Sequence, residues 1–404
     1  MPEHVARRWR PWRRSARALT AAALAALGSA GCTASASGLG VPGARPDGLV
    51  SIGAGLMGLA GLKATVYARG LPALATLAQD ASGRLWATTA EYGDGGDDGV
   101  YLLERPGATP TRVLTGVKAP LGLAWQGDRL YVSSAAGIDA YSGLEGSVFA
   151  TRETVLRWPL GVGESNNLIQ SPDGRLLVGI SAPCDHCSPT SSWSAAILSF
   201  RADGSDAHPY ATGIRAAFGL AYYPGTSDLF VTMDQRDDLG ARTPGDWLSL
   251  VRPGEQWGFP DCYGQGGAAC DGVPAPTDRL DTHGAVGSLA IVTGQLGAAV
   301  GASALVAEWA LGKVQRVALT RAGSRYRASS GSVPGRPPTA ARGAGHERRS
   351  PARRRLGDVI WAAGVEASPL ARQLAEASGA ETDRKGGSMC STIARCLATR
   401  RSLR

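Results

Sequence analysis

The 404-residue sequence has few Phe and Met residues and no long apolar run in its middle. It contains only five Phe and four Met, against 55 Gly. After residue 31 no apolar run is long enough to cross a bilayer. This composition disfavours long helices and predicts many turns between short strands.

The middle of the chain also lacks an excess of positive charge. The net charge of +8 comes from the two ends, because residues 1–31 and 321–404 are rich in Arg and the sequence between them is net acidic. A nucleic-acid-binding domain should itself be basic, so a nucleic-acid partner is not expected. The sequence also has no Gly-x-Ser-x-Gly nucleophile elbow and no His-Glu-x-x-His zinc motif.

Residues 1–31 predict an export signal. The basic segment Arg7–Arg17 precedes the apolar run Ala18–Leu27, which is too short to span a bilayer comfortably. Two cleavage sites compete, one that leaves Cys32 as a lipidated N-terminus and one after Ala34-Ser35-Ala36 that releases a soluble protein. We favour the lipoprotein, so the protein is expected to be anchored on the periplasmic side or cell exterior, with secretion as the alternative.

Four cysteines form two local pairs in the middle of the sequence. They are Cys184 with Cys187 and Cys262 with Cys270. In an exported chain two local disulfides are the leading interpretation. A zinc site that also uses His186 is the alternative, but a fourth ligand is not evident.

A strand pattern repeats along the middle of the chain. A short apolar segment is followed by a turn and then by a segment that opens with Leu. The five copies fall at 75–78 with 83–86, 122–125 with 129–132, 167–169 with 175–178, 219–222 with 228–231, and 288–291 with 304–307. The first three spacings are near the 40–50 residues of a four-stranded propeller blade. We therefore predict an all-β fold, a six-bladed β-propeller over residues 73–327, with a β-sandwich as the alternative.

The two segments that flank the predicted propeller have a different character. Residues 32–72 are interpreted as a linker and N-terminal segment. Residues 328–404 are basic, and 331–355 are full of Pro, Gly and Arg without strand-like alternation. No sixth blade can be identified there, so the last blade is expected to be incomplete. The C-terminal region is either a low-order extension or a stretch translated in an altered reading frame.

Several motifs resemble the PQQ-dependent glucose/sorbosone dehydrogenase family of soluble quinoprotein propellers. They are Asn167–Leu176, the Cys184–Cys187 loop, Gly213-Ile214-Arg215, and Trp257–Gly264. The resemblance covers about 74–319, which is over half the chain. It implies that the protein oxidises an aldose or ketoaldose with pyrroloquinoline quinone (PQQ) and calcium. The expected small-molecule partner is a sugar, and the electron acceptor is not indicated.

The resemblance also implies roles for particular residues. Arg215 falls where the family places the cation beside the quinone carbonyl, a catalytic and cofactor-binding position, with a salt-bridged residue at the rim as the alternative. Gly240 and Ala241 fall where backbone carbonyls bind the cofactor's calcium, and Asp246 lies close enough in sequence to add charge to that metal site. Calcium prefers such oxygen ligands. Asp237 and Asp238 are further acids in the same loop.

The general base of the family is missing from its expected position. The catalytic His of the family falls at Gly163, and Glu164 beside it is the candidate substitute base, with a solvated surface Glu as the alternative. Replacing Gly163 by His is expected to raise the rate if the pocket is otherwise intact. Because of this loss, enzymatic activity is uncertain. The alternative function is a non-catalytic carbohydrate-binding or scaffold propeller lipoprotein.

Overall fold

The computed structural model describes residues 48–71, 73–90 and 98–331. The predicted signal peptide, the lipidation site at Cys32 and most of the basic C-terminal region therefore lie outside the described residues. No helix in the described ranges has the length and apolar character that a membrane crossing requires.

Five four-stranded antiparallel sheets and one hairpin make up the described fold. The hairpin pairs β1 (Val50–Gly53) with β2 (Leu56–Gly58). The first sheet contains β3 (Leu74–Gln79), β4 (Leu85–Thr89), β5 (Gly99–Leu103) and β6 (Thr111–Thr115). The second contains β7 (Gly122–Gln126), β8 (Arg129–Ser134), β9 (Gly137–Glu145) and β10 (Val148–Arg157). The third contains β11 (Ser165–Gln170), β12 (Leu176–Ile180), β13 (Ala196–Phe200) and β14 (His208–Thr212).

The last two sheets continue the same order. The fourth contains β15 (Ala217–Tyr222), β16 (Leu229–Met233), β17 (Trp247–Val251) and the short β18 (Asp278–Arg279). The fifth contains β19 (Val286–Thr293), β20 (Ala302–Glu308), β21 (Lys313–Ala322) and β22 (Arg325–Gly331). Two short 3-10 helices, Gly240–Arg242 and Ala268–Cys270, lie in the connections of the fourth sheet. The predicted domain boundary at residue 327 falls inside β22, which completes the fifth sheet.

The five sheets follow one another as consecutive propeller blades do. Their first strands contact in the order β3, β7, β11, β15 and β19, so each sheet packs beside the next. Each copy of the sequence repeat overlaps the first two strands of one sheet. The prediction of an all-β fold with a repeated four-stranded unit is confirmed. The β-sandwich alternative is wrong, because the second, third and fourth sheets each pack between the sheet before and the sheet after them rather than against one facing sheet.

The core lies between neighbouring sheets and explains why the second strands are so apolar. All five residues of β4, β12 and β16 are buried, because other strands cover both of their faces. One cluster joins Leu177 and Ile197 of the third sheet to Leu220, Leu229 and Trp247 of the fourth. Each such side chain contributes about 1.5–3 kcal/mol when buried.

Both predicted disulfides are present. Cys184 bonds to Cys187 between β12 and β13, and Cys262 bonds to Cys270 between β17 and β18. The second lies in the long 252–277 connection, whose Trp257 and Phe259 amides donate to Thr212 and Gly213 of the preceding blade. This disulfide therefore closes a loop that is already attached to the third sheet.

Strand direction brings one set of connections to the same end of the blades. In a four-stranded antiparallel sheet, the link from the second to the third strand lies at the same end as the link to the next sheet. For the third to fifth sheets these connections are 158–164, 181–195, 213–216, 234–246, 280–285 and 309–312. We call this set the loop face. Loops on a rigid β scaffold commonly carry function.

Candidate functional site

Arg215 lies at the centre of a charged network on the loop face. Its Nη1 donates to the main-chain oxygen of Asp234 at 3.0 Å and to the carboxylate at 3.4 Å, and its Nη2 donates to Asp185. The side chain is only 15 % exposed. Burial raises the pKa of Asp234 to about 6, although Arg215 opposes the shift. The two carboxylates fix the plane of the guanidinium group.

The neighbouring strand ends hold Arg215 beside Glu164. The Ala182 amide donates to the Arg215 carbonyl at 2.6 Å, and the Ser181 amide donates to the Glu164 carbonyl at 2.8 Å. The backbone next to β12 therefore lies between the two candidate catalytic residues. Both residues lie on the loop face, one on each side of residues 181 and 182.

Glu164 keeps its carboxylate available. The residue is exposed, and within the described ranges no hydrogen bond or ion pair engages its carboxylate. Protein atoms around the carboxyl group nevertheless raise its pKa by desolvation. A carboxylate with a raised pKa and no cation partner is suited to accept a proton.

Gly163 cannot take the histidine that the sequence comparison suggested. A Cβ added at Gly163 would lie 1.8 Å from the Ser181 carbonyl oxygen, which is a backbone atom. The Gly163 amide also donates to Ser194 Oγ at 3.0 Å, which holds the backbone in place. A histidine at position 163 would therefore have to displace the backbone at the end of β12 before it could act as a base.

The residues predicted to hold calcium do not form an open set of oxygens. The Gly240 carbonyl already accepts hydrogen bonds from the Thr243 amide at 3.0 Å and from His283 Nε2 at 2.9 Å. Ala241 follows it in the exposed 3-10 helix. Across the described ranges, no three His, Cys, Asp or Glu groups are placed to hold a metal ion together.

Asp246 is a buried structural carboxylate rather than a loop charge open to solvent. Its side-chain oxygens accept from the amides of Gln235 at 2.9 Å and Val286 at 3.3 Å, and the residue is fully buried. Burial and the nearby charge of Asp234 raise its pKa to about 7. As arranged here, Gly240, Ala241 and Asp246 do not fit calcium, since their oxygens either have partners or lie apart.

His283 is a member of the network that sequence reasoning missed. Its Nδ1 lies 2.6 Å from Asp237 and its Nε2 lies 2.9 Å from the Gly240 carbonyl. Both ring nitrogens thus face acceptors, and Asp237 and then Gly240 raise the pKa of the imidazole. Through these two contacts the imidazole connects the 234–246 connection to the link before β19. No local signal predicts this, because the contact spans more than forty residues.

The side chain of Lys313 forms its contacts outside the network around Arg215. Its Nζ lies 3.0 Å from Glu308 and also donates to Asp281 and to Gln315, with the side chain 9 % exposed. Two acids therefore already balance its charge. Among the cations of the described loop face, Arg215 alone retains a buried N–H without an acceptor, at Nε.

Arg215 also lines a cavity of about 50 Å³. Trp247 and Trp257 stack in its wall with ring centroids 4.7 Å apart. The 252–277 connection covers it with Phe259, Tyr263 and the Cys262–Cys270 disulfide region. The remaining wall includes Gln235 and Arg279.

Comparisons with known proteins give matches only at the level of three-dimensional structure. No family model matches the sequence, and no curated protein matches it. The PQQ-bound form of an aldose sugar dehydrogenase from Streptomyces coelicolor is 21 % identical, with 66 % of this chain and 83 % of that chain covered and a TM-score of 0.50.

Two fungal structures superpose slightly better. The holo form of the pyranose dehydrogenase PQQ domain from Coprinopsis cinerea is 14 % identical over 71 % of this chain and 84 % of that chain, with a TM-score of 0.55. A calcium structure of a carbohydrate-active enzyme from Trichoderma reesei is 15 % identical over 71 % and 88 %, with a TM-score of 0.52. At these identities the likeness concerns the fold. The predicted resemblance to the quinoprotein sugar dehydrogenases is therefore confirmed, and the described part of the chain has their fold.

Proposed function

We propose that the protein is an exported, PQQ-dependent oxidoreductase that acts on an aldose or ketoaldose. The observation that carries the proposal is Arg215, held by two carboxylates on the loop face of a fold shared with PQQ-bound sugar dehydrogenases. The proposal includes a six-bladed propeller whose last blade is incomplete. The described residues contribute five four-stranded sheets and one hairpin to it.

The chemistry of the donor set supports a quinone beside Arg215. PQQ carries carboxylates and quinone carbonyls, which need N–H donors and positive charge. The buried Nε of Arg215 has no acceptor in the described part of the chain. When bound, the quinone supplies an acceptor for the hydride that leaves the sugar carbon. Calcium is implied only by the resemblance, and no step is assigned to it because Gly240, Ala241 and Asp246 do not fit the ion as arranged.

The chain's own residues would contribute positioning and proton transfer. Arg215 would donate hydrogen bonds to a carbonyl oxygen on which negative charge develops, and Asp185 and Asp234 would keep its plane fixed. Glu164 would accept the proton of the sugar hydroxyl, because its carboxylate is accessible and its raised pKa favours proton uptake. Both groups come from links that precede a first strand, so the rigid blades set their separation.

The backbone at Gly163 favours a second candidate function. A position with no room for a side chain cannot supply the base that the resemblance implies there. A propeller with this feature could bind a carbohydrate, or serve as a scaffold lipoprotein, without oxidising it. The two candidates differ in one measurable property, which is sugar-dependent reduction of the bound quinone.

Calorimetric titration of the full chain with PQQ, with and without calcium, tests the proposal together with sugar-dependent dye reduction. We expect binding and slow turnover. Arg215→Ala should lower turnover about 10²–10³-fold, since a lost oxyanion donor has that effect. Glu164→Gln should lower it about 10²-fold or more.

Glu145→Gln serves as the matched control, because Glu145 is an exposed Glu at the end of β9 and should leave turnover unchanged. PQQ binding without any sugar oxidation would favour the non-catalytic carbohydrate-binding or scaffold function. Absence of PQQ binding under both conditions would overturn the proposed oxidoreductase.

A further inference from the structure

The 181–195 connection of the loop face has a long stretch that backbone hydrogen bonds leave free. Its start is attached, because the Ser181 and Ala182 amides donate to the neighbouring links. Residues 183–190, in contrast, take part in no backbone–backbone hydrogen bond within the described ranges. The Cys184–Cys187 disulfide closes a ring of four residues inside this stretch. A cross-link removes conformations that such a segment would otherwise adopt, so the disulfide restrains the backbone where hydrogen bonds do not.

Asp185 lies inside this ring, and its carboxylate joins three connections of the loop face. Its Oδ1 accepts hydrogen bonds from Arg215 Nη2 and from the Asp237 amide, the latter at 3.3 Å. Arg215 belongs to the 213–216 link and Asp237 to the 234–246 connection. One carboxylate oxygen therefore has to lie in one place to meet both donors.

The ion pair between Asp185 and Arg215 is too weak to order the loop by itself. The side chain of Asp185 is 39 % exposed. An ion pair with a partner this exposed stabilises a structure only slightly, because water screens the attraction and the side chains lose freedom. Ordering the backbone of several residues costs more than such a pair contributes. A ring that is closed independently of the attraction removes part of that entropic cost before the carboxylate meets the guanidinium group.

We propose that the Cys184–Cys187 disulfide is a positioning element: it fixes Asp185, and through Asp185 it fixes the orientation of the Arg215 guanidinium group. Without the disulfide, Asp234 alone would hold that group, through Nη1. The inference concerns the same arginine as the proposed oxidation of sugars, and it rests on that function only for its effect on turnover.

Chemical modification of Arg215 tests the proposal in the full chain, without PQQ or sugar. Phenylglyoxal condenses with the terminal nitrogens of a guanidinium group, so it should react slowly with Arg215 while Asp185 and Asp234 hold those atoms. Peptide mass spectrometry measures the rate for each arginine. Cys184→Ser combined with Cys187→Ser should raise the Arg215 rate at least about threefold, which lies within the range of couplings found inside one network. An unchanged rate would overturn the proposal.

Arg175 is an internal control for general loosening of the protein. Its side chain is 19 % exposed, and Asp206 holds its Nη1 at 2.8 Å. It lies beside the opposite end of β12 from the disulfide ring. The Arg175 rate should therefore stay the same when the disulfide is removed. A parallel rise for Arg175 and Arg215 would show a loss of stability instead of a loss of positioning, and the proposal would be wrong.

The second disulfide supplies a matched variant. Cys262→Ser combined with Cys270→Ser also removes one local disulfide, but the Trp257 and Phe259 amides attach its connection to the third sheet by backbone hydrogen bonds. This variant should leave the Arg215 rate unchanged. A rise equal to that of the Cys184 and Cys187 variant would contradict a specific role of the first disulfide.

Combined variants show whether the disulfide acts through Asp185. Asp185→Ala should raise the Arg215 rate, and adding Cys184→Ser and Cys187→Ser should raise it no further, because the carboxylate that the ring positions is already gone. Asp185→Asn keeps an acceptor oxygen and should restore part of the protection. A further rise in the combined variant would mean that the disulfide acts on Arg215 by another route, which would overturn the proposal. Failure of wild type to bind PQQ would contradict the proposed function alone, since these rates are measured without the quinone.

Discussion

Two junctions between neighbouring blades share an apolar core but differ in their polar side chains. Between the first and second sheets, Trp86 packs against Trp125 and Phe149 with ring centroids 5.1 Å and 5.8 Å apart, and Tyr141 contacts Phe149. Between the fourth and fifth sheets, the buried carboxylates of Asp246 and Glu308 lie on either side of Gly284, and Lys313 pairs with Glu308. The second junction has aromatic contacts as well, such as Phe230 against Tyr326, but it also buries two carboxylates with raised pKa values. We therefore call the first the aromatic junction and the second the ionisable junction.

The two junctions contribute differently to the stability of the fold. Aromatic burial stabilises roughly in proportion to the apolar area that is removed from water, and its effect does not depend on pH. Buried acids have raised pKa values, as Asp246 and Glu308 do, so their effect on stability depends on protonation. The ionisable junction also carries the 234–246 connection of the loop face. The rigidity of the ionisable junction therefore affects the position of the candidate site.

Truncating the aromatic junction should have the largest effect. Trp86 is fully buried, and its Nε1 donates to Asp80 at 3.0 Å. Trp86→Ala should lower the free energy of unfolding by about 3–5 kcal/mol, through lost burial and a residual cavity. Urea titration followed by circular dichroism measures this. Trp309→Ala is the control, because Trp309 is 74 % exposed and its loss should stay within about 0.5 kcal/mol. Equal effects of the two variants would contradict the assigned core.

Breaking the ion pair of the second junction should have a smaller effect. Glu308→Gln removes the charge that faces Lys313 but leaves Asp281 and Gln315 as acceptors for Nζ. We therefore expect a loss of about 1–3 kcal/mol in the free energy of unfolding, by the same urea titration.

A double variant distinguishes the ion pair from general disruption of the junction. Lys313→Met alone should be more destabilising than Lys313→Met combined with Glu308→Gln, because the single variant leaves a buried carboxylate without its cation. The opposite order would show that Glu308 and Lys313 do not stabilise each other.

The sequence was more informative about the aromatic junction than about the ionisable one. Strands such as β4 and β8 are predictable because their apolar residues and the turns between them repeat blade after blade. Arg215 and the two disulfides were also predictable, since their motifs are local. The partners of Arg215 were not. Asp185 lies 30 residues away along the chain, and only the packing of the third blade against the fourth brings it to the guanidinium group.

Two of the sequence-based site predictions depended on backbone geometry that no residue pattern reports. Gly163 aligned with a catalytic position, but the distance from its Cβ position to the Ser181 carbonyl depends on the path of β12. Gly240 aligned with a carbonyl ligand, but His283, from the next blade, already occupies that oxygen. Motif resemblance thus selected residues of the loop face, while tertiary contacts determine which of their atoms lack hydrogen-bond partners.

A change of pH should affect the free energy of unfolding through the ionisable junction more than through the aromatic one. We expect this effect to be the smallest of those predicted here. Asp246 has an unfolded pKa near 3.8 and a folded pKa of about 7. Since the folded state binds the proton more tightly, the stabilisation from this group is fully present below about pH 3.8 and is lost as pH rises to about 7. Asp234, with a folded pKa of about 6, acts in the same direction. These two acids therefore predict a falling contribution to stability between about pH 4 and pH 7.

Asp246→Asn tests whether this pH dependence belongs to the ionisable junction. The amide keeps the shape of the side chain and one acceptor for the Gln235 or Val286 amide, but it cannot ionise. Relative to wild type, its free energy of unfolding should be lower near pH 4 and should recover toward the wild-type value near pH 7, because the wild type alone loses stability as Asp246 ionises. The Trp86→Ala variant should show a weak dependence of the opposite sign. It removes a hydrogen bond that lowers the pKa of Asp80, so its destabilisation should be slightly smaller near pH 4 than near pH 7. The contrary result is a difference in the free energy of unfolding between Asp246→Asn and wild type that stays constant from pH 4 to pH 7. That result would show that Asp246 has the same pKa in the folded protein as in the unfolded chain, and the proposed contrast between the two junctions would be wrong.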